Sequence, residues 1–245
     1  MKLQATYFYQ GRYHLLFRWA DGNLRDFWEK HPEPDDIPRT PGFAKWLVQQ
    51  LVGLTSGLNA ILLCPPNTAD DVEEDKYASE NIRGVHGNLK PENILWFEQI
   101  PEPIDPDERL LQRYGRLLIS DFGRVQIDLP ETHFASFTYQ SPEFDIQEEL
   151  TQSFDIWTLG CVALEFVVWY LRGLGALNEF SRDRAVEDKS GPIKLDSYFH
   201  KKRKAGRDGQ TFTTAVLKMS VVKVREIQNN GAICTSAKQT PKFGS

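Results

Sequence analysis

Cysteine is scarce in this chain. Among 245 residues there are three, Cys64, Cys161 and Cys234, far apart and without a C-x-x-C pair. Neither a disulfide framework nor a thiolate zinc site is therefore suggested. That usage fits a reducing, intracellular compartment, the cytoplasm in the first instance. No Asn-x-Ser/Thr acceptor site occurs, and Met1 to Gln10 carries no apolar signal core. An excess of basic charge is also missing: 29 Lys and Arg stand against 34 Asp and Glu, a formal net charge of −5. The chain offers no broad electrostatic footprint for nucleic acid or an anionic membrane, so neither is expected as a partner. Long apolar runs are lacking except at Ile156 to Leu171, IWTLGCVALEFVVWYL. This run falls short of the ~20 residues of a bilayer crossing and contains Glu165, so it reads as a buried helix. No internal repeat is visible.

With 40% hydrophobic and 12% aromatic residues, the chain can bury one sizeable core or two small lobes. Ala5 to Tyr9 and Arg12 to Trp19 read as strands of a hairpin around Gln10 and Gly11. Asn23 caps a predicted helix over Leu24 to Lys30, with Leu24, Phe27 and Trp28 on one face. A proline-rich acidic loop, His31 to Arg39, leads to the strongest helical signal. Thr40 is its cap and Pro41 its first residue; Phe43, Leu47, Leu51, Leu54, Leu58 and Ile61 follow at three- and four-residue spacing. Pro65 to Asn81 is polar and acidic and reads as a solvated insertion. Asn93 to Phe97 and Arg116 to Ser120 are strand-like and suited to pairing. Ser181 to Lys194 reads as loop and Asn229 to Ser245 as tail. Phe8, Tyr13, Phe17, Trp19, Phe27, Trp28 and Trp46 are expected in a core or a lobe interface, some of them exposed for want of an upper lobe.

Polar motifs punctuate the middle of the chain in a fixed order. His86-Gly87-Asn88-Leu89-Lys90-Pro91-Glu92-Asn93 precedes the first short strand, and Asp121-Phe122-Gly123 follows the second. Ser141-Pro142-Glu143 and then Asp155-Ile156-Trp157 complete the series. In this order the chain resembles the eukaryotic protein kinase family, with wording at Lys90 to Asn93 closer to Ser/Thr than Tyr kinases. The resemblance spans roughly Tyr7 to Leu171. It implies an α+β, mainly α fold: residues 1–22 as a remnant upper-lobe hairpin and hinge, 23–228 as a kinase-like C-lobe, and 229–245 as a tail. It also implies ATP and Mg²⁺ as cofactors, with Asn93 and Asp121 as magnesium ligands and Lys90 steadying the transferred phosphate. Phosphoryl transfer asks mainly for positioning and charge neutralisation, which hard oxygen ligands and a nearby cation supply. By the same resemblance His86, Glu143 and Asp155 are structural, Asp155 bracing the catalytic loop from within the core.

The departures carry equal weight. The family's catalytic aspartate is replaced by Asn88, an amide that can hold a substrate hydroxyl but cannot take its proton. General-base assistance is typically worth roughly 10²- to 10⁴-fold. Ahead of the hinge the sequence shows one glycine at a turn, Gly11, and one lysine, Lys2, so no Gly-rich loop or Lys–Glu pair is recognisable. Glu143 resembles a glutamate that pairs with a late arginine; Arg172, Arg207 and Arg225 are its candidate partners. Gly87 replaces an arginine that grips a phosphorylated activation segment, so phosphate on Thr132, Ser136 or Thr138 would lack that partner.

The expected function is a kinase-domain protein with impaired catalysis, a pseudokinase or truncated kinase that acts by binding a protein partner. An upper lobe supplied in trans would complete the cleft. A slow Ser/Thr kinase and a gene fragment without function are the alternatives. Finally, Lys201-Lys202-Arg203-Lys204 reads either as a solvated loop or as a nuclear address or anionic docking patch, which makes a nuclear location the second expectation.

Overall fold

A computed structural model describes residues 3–33, 40–63, 84–98, 113–121, 137–147, 151–205 and 210–224. The acidic insertion, the Pro101 to Pro106 stretch, Phe122, Gly123, Thr132, Ser136, Arg207, Arg225 and the C-terminal tail lie outside them. The described fold is α+β. Strands β1 (Leu3–Tyr9) and β2 (Arg12–Phe17) form an antiparallel hairpin in which Tyr9 faces Arg12. Gln10 and Gly11 at the turn have φ of 49° and 75°, the left-handed pair that a two-residue hairpin requires.

Strand β3 (Gly22–Asn23) leads directly into helix α1 (Leu24–Lys30). The Asn23 side chain accepts from the Arg25 and Asp26 amides, while the Asp26 carboxylate accepts from the Asn23 amide. This reciprocal capping satisfies donors that a helix start leaves open. β3 pairs with β4 (Ile94–Phe97), and β4 with β5 (Arg116–Ile119), in one antiparallel sheet of order β3-β4-β5. Gly115 precedes β5 at φ 84°, where a Cβ would stand 2.4 Å from the Phe97 carbonyl oxygen, so the turn admits only glycine.

Helix α2 (Pro41–Leu62) begins at the Thr40 cap and buries Phe43, Trp46, Leu47, Leu54 and Leu58 along one stripe. Gln50 of α2 accepts from the Leu117 amide at 2.9 Å, and Trp46 donates to the Gly115 carbonyl at 2.7 Å, so polar groups inside the contact are matched. A short helix α3 (Pro142–Gln147) precedes α4 (Gln152–Val186). α4 is broken at Gly173, φ 81° and ψ 179°, and just beyond the break the Leu174 amide donates to the Pro32 carbonyl at 2.7 Å. Phe27 is the hub of an aromatic core, its ring 5.6 Å from Trp46, 5.1 Å from Trp96 and 5.3 Å from Trp169. Burying each such ring is worth about 1.5–3 kcal/mol.

Two expectations are corrected, and a third is made specific. The helix does not end near Leu171: its second arm runs through Ser181 to Val186, because Leu177, Phe180 and Arg184 are buried there. The basic run is not a loop but strand β6 (Phe199–Ala205), paired antiparallel with β7 (Thr211–Leu217). The aromatic set divides. Phe27, Trp28 and Trp46 are buried, whereas Phe8, Tyr13, Phe17 and Trp19 are exposed, since among the described residues the β1–β2 hairpin packs chiefly on itself.

Glu165, the acid inside the apolar run, forms a buried ion pair with Arg184 at 3.0 Å. Tyr198 and Tyr139 donate to its two oxygens at 2.7 and 2.8 Å. The Arg184 guanidinium lies between the rings of Phe180 and Tyr198, 4.1 and 4.2 Å from their centroids, and donates to the Asp196 carbonyl at 2.8 Å. Burial raises the Tyr139 phenol, and Glu165 beside it raises it further, so it remains a donor. α4 is long and apolar enough to cross a membrane, yet half of its most apolar window is buried in this packing.

Two outcomes are expected. Arg184→Ala leaves Glu165 buried without its cation and should cost about 3–5 kcal/mol in denaturant unfolding. Burial opposes the charge of Asp188, but the Ser190 hydroxyl, the Leu195 and Ser190 amides and Lys218 outweigh it and hold the carboxyl at about 2, against an ordinary 3.8. Its stabilisation is present above 3.8 and lost as pH falls toward 2. Asp188→Asn should flatten that part of the stability profile, measured by chemical denaturation between those pH values.

Candidate active site

The loop from His86 to Lys90 is fixed from below by the core. Asp155, fully buried in the first turn of α4, accepts from the His86 amide at 2.6 Å and the Gly87 amide at 2.9 Å. Burial pushes its carboxyl up, and these two amides pull it partly back. His86, also fully buried, ties the loop sideways to the end of β5: its Nε2 lies 2.8 Å from the Ser120 carbonyl. Its Nδ1 accepts from the Asn88 amide at 3.3 Å, which puts the ring proton on Nε2. Gly87 has φ 71°, so this turn of the loop is suited to glycine and strained for an arginine.

These restraints deliver Asn88, Asn93 and Asp121 to one place. A 3₁₀ turn (Pro91–Asn93) carries Asn93 to the start of β4, and the Asn93 carbonyl accepts from both the amide and hydroxyl of Ser120, at 2.9 and 3.0 Å. Asp121 follows immediately at φ 66°, a left-handed conformation that few non-glycine residues adopt and that directs attention to function. The Asn88 side-chain amide donates to Asp121 Oδ2 at 2.8 Å. The Asn93 amide donates to the same oxygen at 3.2 Å and to the Asn88 carbonyl at 2.7 Å. One exposed carboxylate oxygen therefore collects two amide donors.

The Asp121 carboxylate and the Asn93 side-chain oxygen are hard donors of the kind Mg²⁺ accepts together with phosphate oxygens and water. They would hold the ion once the Asn93 amide, which here donates its N–H to Asp121, turned its oxygen to it. An aspartate at position 88 would add a second negative charge beside Asp121, whereas Asn88 adds a donor.

Lys90 points the loop toward a polar cleft of about 240 Å³, which it shares with Arg25, Glu92, Thr138, Glu165 and Asp196. It does not join the Asn88–Asn93–Asp121 hydrogen-bonded group. The Thr138 hydroxyl donates to the Asp196 carboxylate, so a phosphate on Thr138 would face negative charge. Glu143 lies exposed on α3 and has no ion pair among the described residues. The arginine buried in this region, Arg184, serves Glu165 instead. Sequence reading missed Tyr139, Arg184, Asp196 and Tyr198 around that pair; the one available signal was Glu165 itself, an acid in an apolar helix that needs a partner.

No protein-family model matches the chain. Over 94 residues it is 32% identical to the serine/threonine-protein kinase PKH3 of Eremothecium gossypii, covering 34% of this chain and 11% of that protein. Over 110 residues it is 27% identical to homeodomain-interacting protein kinase 1 of Mus musculus, covering 44% of this chain and 8% of that one. Over 159 residues it is 24% identical to cyclin-dependent kinase-like 4 of Homo sapiens, covering 63% of this chain and 31% of that one. The chain thus spans less than a third of the length of each. These matches support a relation to the Ser/Thr protein kinases over part of the chain.

Removing the Asp155 carboxylate strands two buried amides, each worth about 1–3 kcal/mol when left unmatched. Asp155→Ala should therefore lower unfolding free energy by several kcal/mol, and hydrogen exchange at His86 and Gly87 should accelerate; unchanged exchange there would show that the loop is held by other means.

Proposed function

We propose that this chain is a protein-kinase-like domain whose catalytic step is impaired and whose remaining role is binding. The observation that carries the reading is the 2.8 Å hydrogen bond from the Asn88 amide to Asp121. In a working phosphotransfer site the group nearest the substrate hydroxyl takes its proton, and Asp121 is free to hold a metal. Here the residue at 88 has no basicity, and its N–H occupies the carboxylate oxygen that a cation would seek. Asn88 supplies part of the neutralisation that Mg²⁺ supplies elsewhere, at lower charge and without a ligand.

ATP and Mg²⁺ remain the cofactors that the site would take. Asp121 and Asn93 would hold the ion, and Lys90 is the residue that by resemblance would steady a transferred phosphate. The bound ion would neutralise phosphate charge. Asn88 would orient a hydroxyl without activating it. Slow Ser/Thr phosphotransfer is the second reading, favoured by the gathering of Asn93 and Asp121 within hydrogen-bonding distance. A protein partner, or an upper lobe contributed by another chain, is the class of partner proposed.

Calorimetric titration of ATP into the protein, with and without Mg²⁺, tests the site. Weak binding with little magnesium dependence is expected for the natural chain. Asn88→Asp should make binding magnesium-dependent, and in metal-free buffer should lower the melting temperature through repulsion at Asp121. Strong magnesium-dependent binding by the natural chain, lost in Asp121→Ala, would contradict impairment at this site.

A further inference from the structure

Four of the chain's 29 Lys and Arg stand consecutively on one strand, Lys201 to Lys204 of β6. β6 carries His200, Lys202 and Lys204 on one face and Lys201 and Arg203 on the other, all exposed. Within the hairpin, Val216, Thr214 and Phe212 stand opposite the first row, and Ala215 and Thr213 opposite the second. Phe212 and Val216 are themselves exposed. β6 and β7 make a two-stranded sheet, so among the described residues each presents a free edge. Lys201 already shows the chemistry this strand favours: its ammonium lies 3.1 Å from the Asp145 carboxylate of α3. Beside the start of β6 a groove of about 600 Å³ has Phe137, Leu195 and Phe199 in its lining; the acids that also line it, Asp145, Glu187 and Asp188, are engaged by Lys201 and by the Met219, Ser220 and Leu195 amides.

We infer that the free edge of β6 is a docking strand for an acidic, extended segment of a partner protein, added as a further strand with an apolar residue seated in the groove beside Phe199. Strand addition uses main-chain hydrogen bonds for affinity and alternate side chains for specificity. A peptide on this edge projects successive side chains toward opposite faces. Successive carboxylates would then meet Lys202 and Lys204 on one side and Arg203 on the other. A flat membrane surface would meet the cations of one face only, whereas an added strand meets both. The overall charge of −5 also repels an extended polyanion while leaving a short peptide to feel the local field.

Lysines on edge strands also serve to block unwanted pairing. Four consecutive cations, distributed over both rows and ending beside an apolar groove, go beyond that need. The paired strand equally changes the reading of the run as a nuclear address, since its backbone is engaged with β7. The inference rests on this hairpin and groove alone, independent of the nucleotide site.

The test is fluorescence anisotropy with the full chain and a labelled peptide of about eight residues, a usual strand length, with one Phe followed by consecutive Glu. Saturable binding is expected. Lys202→Glu together with Lys204→Glu should weaken it roughly tenfold or more, as should N-methylation of alternate peptide amides. The milder pair Lys202→Ala and Lys204→Ala, checked for an unchanged melting temperature, should weaken it in the same direction. No binding, or binding indifferent to charge reversal or to N-methylation, overturns the inference. Stronger binding of a single-stranded oligonucleotide or of phosphatidylserine vesicles than of the peptide also overturns it and assigns the strand to that class instead.

Discussion

Two hydrogen bonds from a single carboxylate set the candidate site. Asp155 sits at the base of the buried helix, and its two oxygens accept from consecutive amides of the loop that carries Asn88. The cost of burying that charge is offset because both oxygens find donors whose own burial would otherwise be unfavourable. The geometry of the candidate site depends on this anchor. With His86 and Gly87 fixed, the loop can place Asn88 against Asp121 only because His86 also reaches the end of β5 at Ser120.

The site and the core are therefore one system. α1, α2 and α4 gather their aromatic residues around Phe27, the sheet of β3, β4 and β5 lies against α2, and the ends of β4 and β5 present Asn93 and Asp121. Within the loop itself the difference from the kinase motif is chemical. An amide replaces the expected carboxylate at position 88, turning a place of electrostatic repulsion, relieved by a cation, into a place of direct hydrogen bonding. On the proposed reading such a site has less to gain from a metal than a pair of carboxylates would.

Local signals made much of this legible beforehand. The Asn23 and Thr40 caps, the stripe of Phe43, Leu47, Leu54 and Leu58, and the Gln10-Gly11 turn are all written in residues close in sequence, and the structure follows them. The expectation that Asn88, Asn93 and Asp121 share a site came from the family resemblance of their motifs, and their side chains are joined by hydrogen bonds. The second arm of α4 was hidden because Gly173 interrupts its periodicity and its buried face includes an arginine. Arg184 itself could not be matched to Glu165 by spacing, since the two lie on opposite sides of the break. The basic run looked like a solvated loop because four adjacent cations mask alternation; only its pairing with the Thr-rich β7 reveals a strand. Nor could sequence foresee the Asn88–Asp121 bond, a contact between side chains distant along the chain.

The most direct test of the account is radiolabelled phosphoryl transfer from Mg²⁺-ATP, by the purified chain, to itself and to a generic protein substrate, with Asp121→Ala as the control. The account predicts incorporation no greater than in that control. Transfer clearly above background that disappears in Asp121→Ala would contradict it and establish the chain as an active kinase despite Asn88.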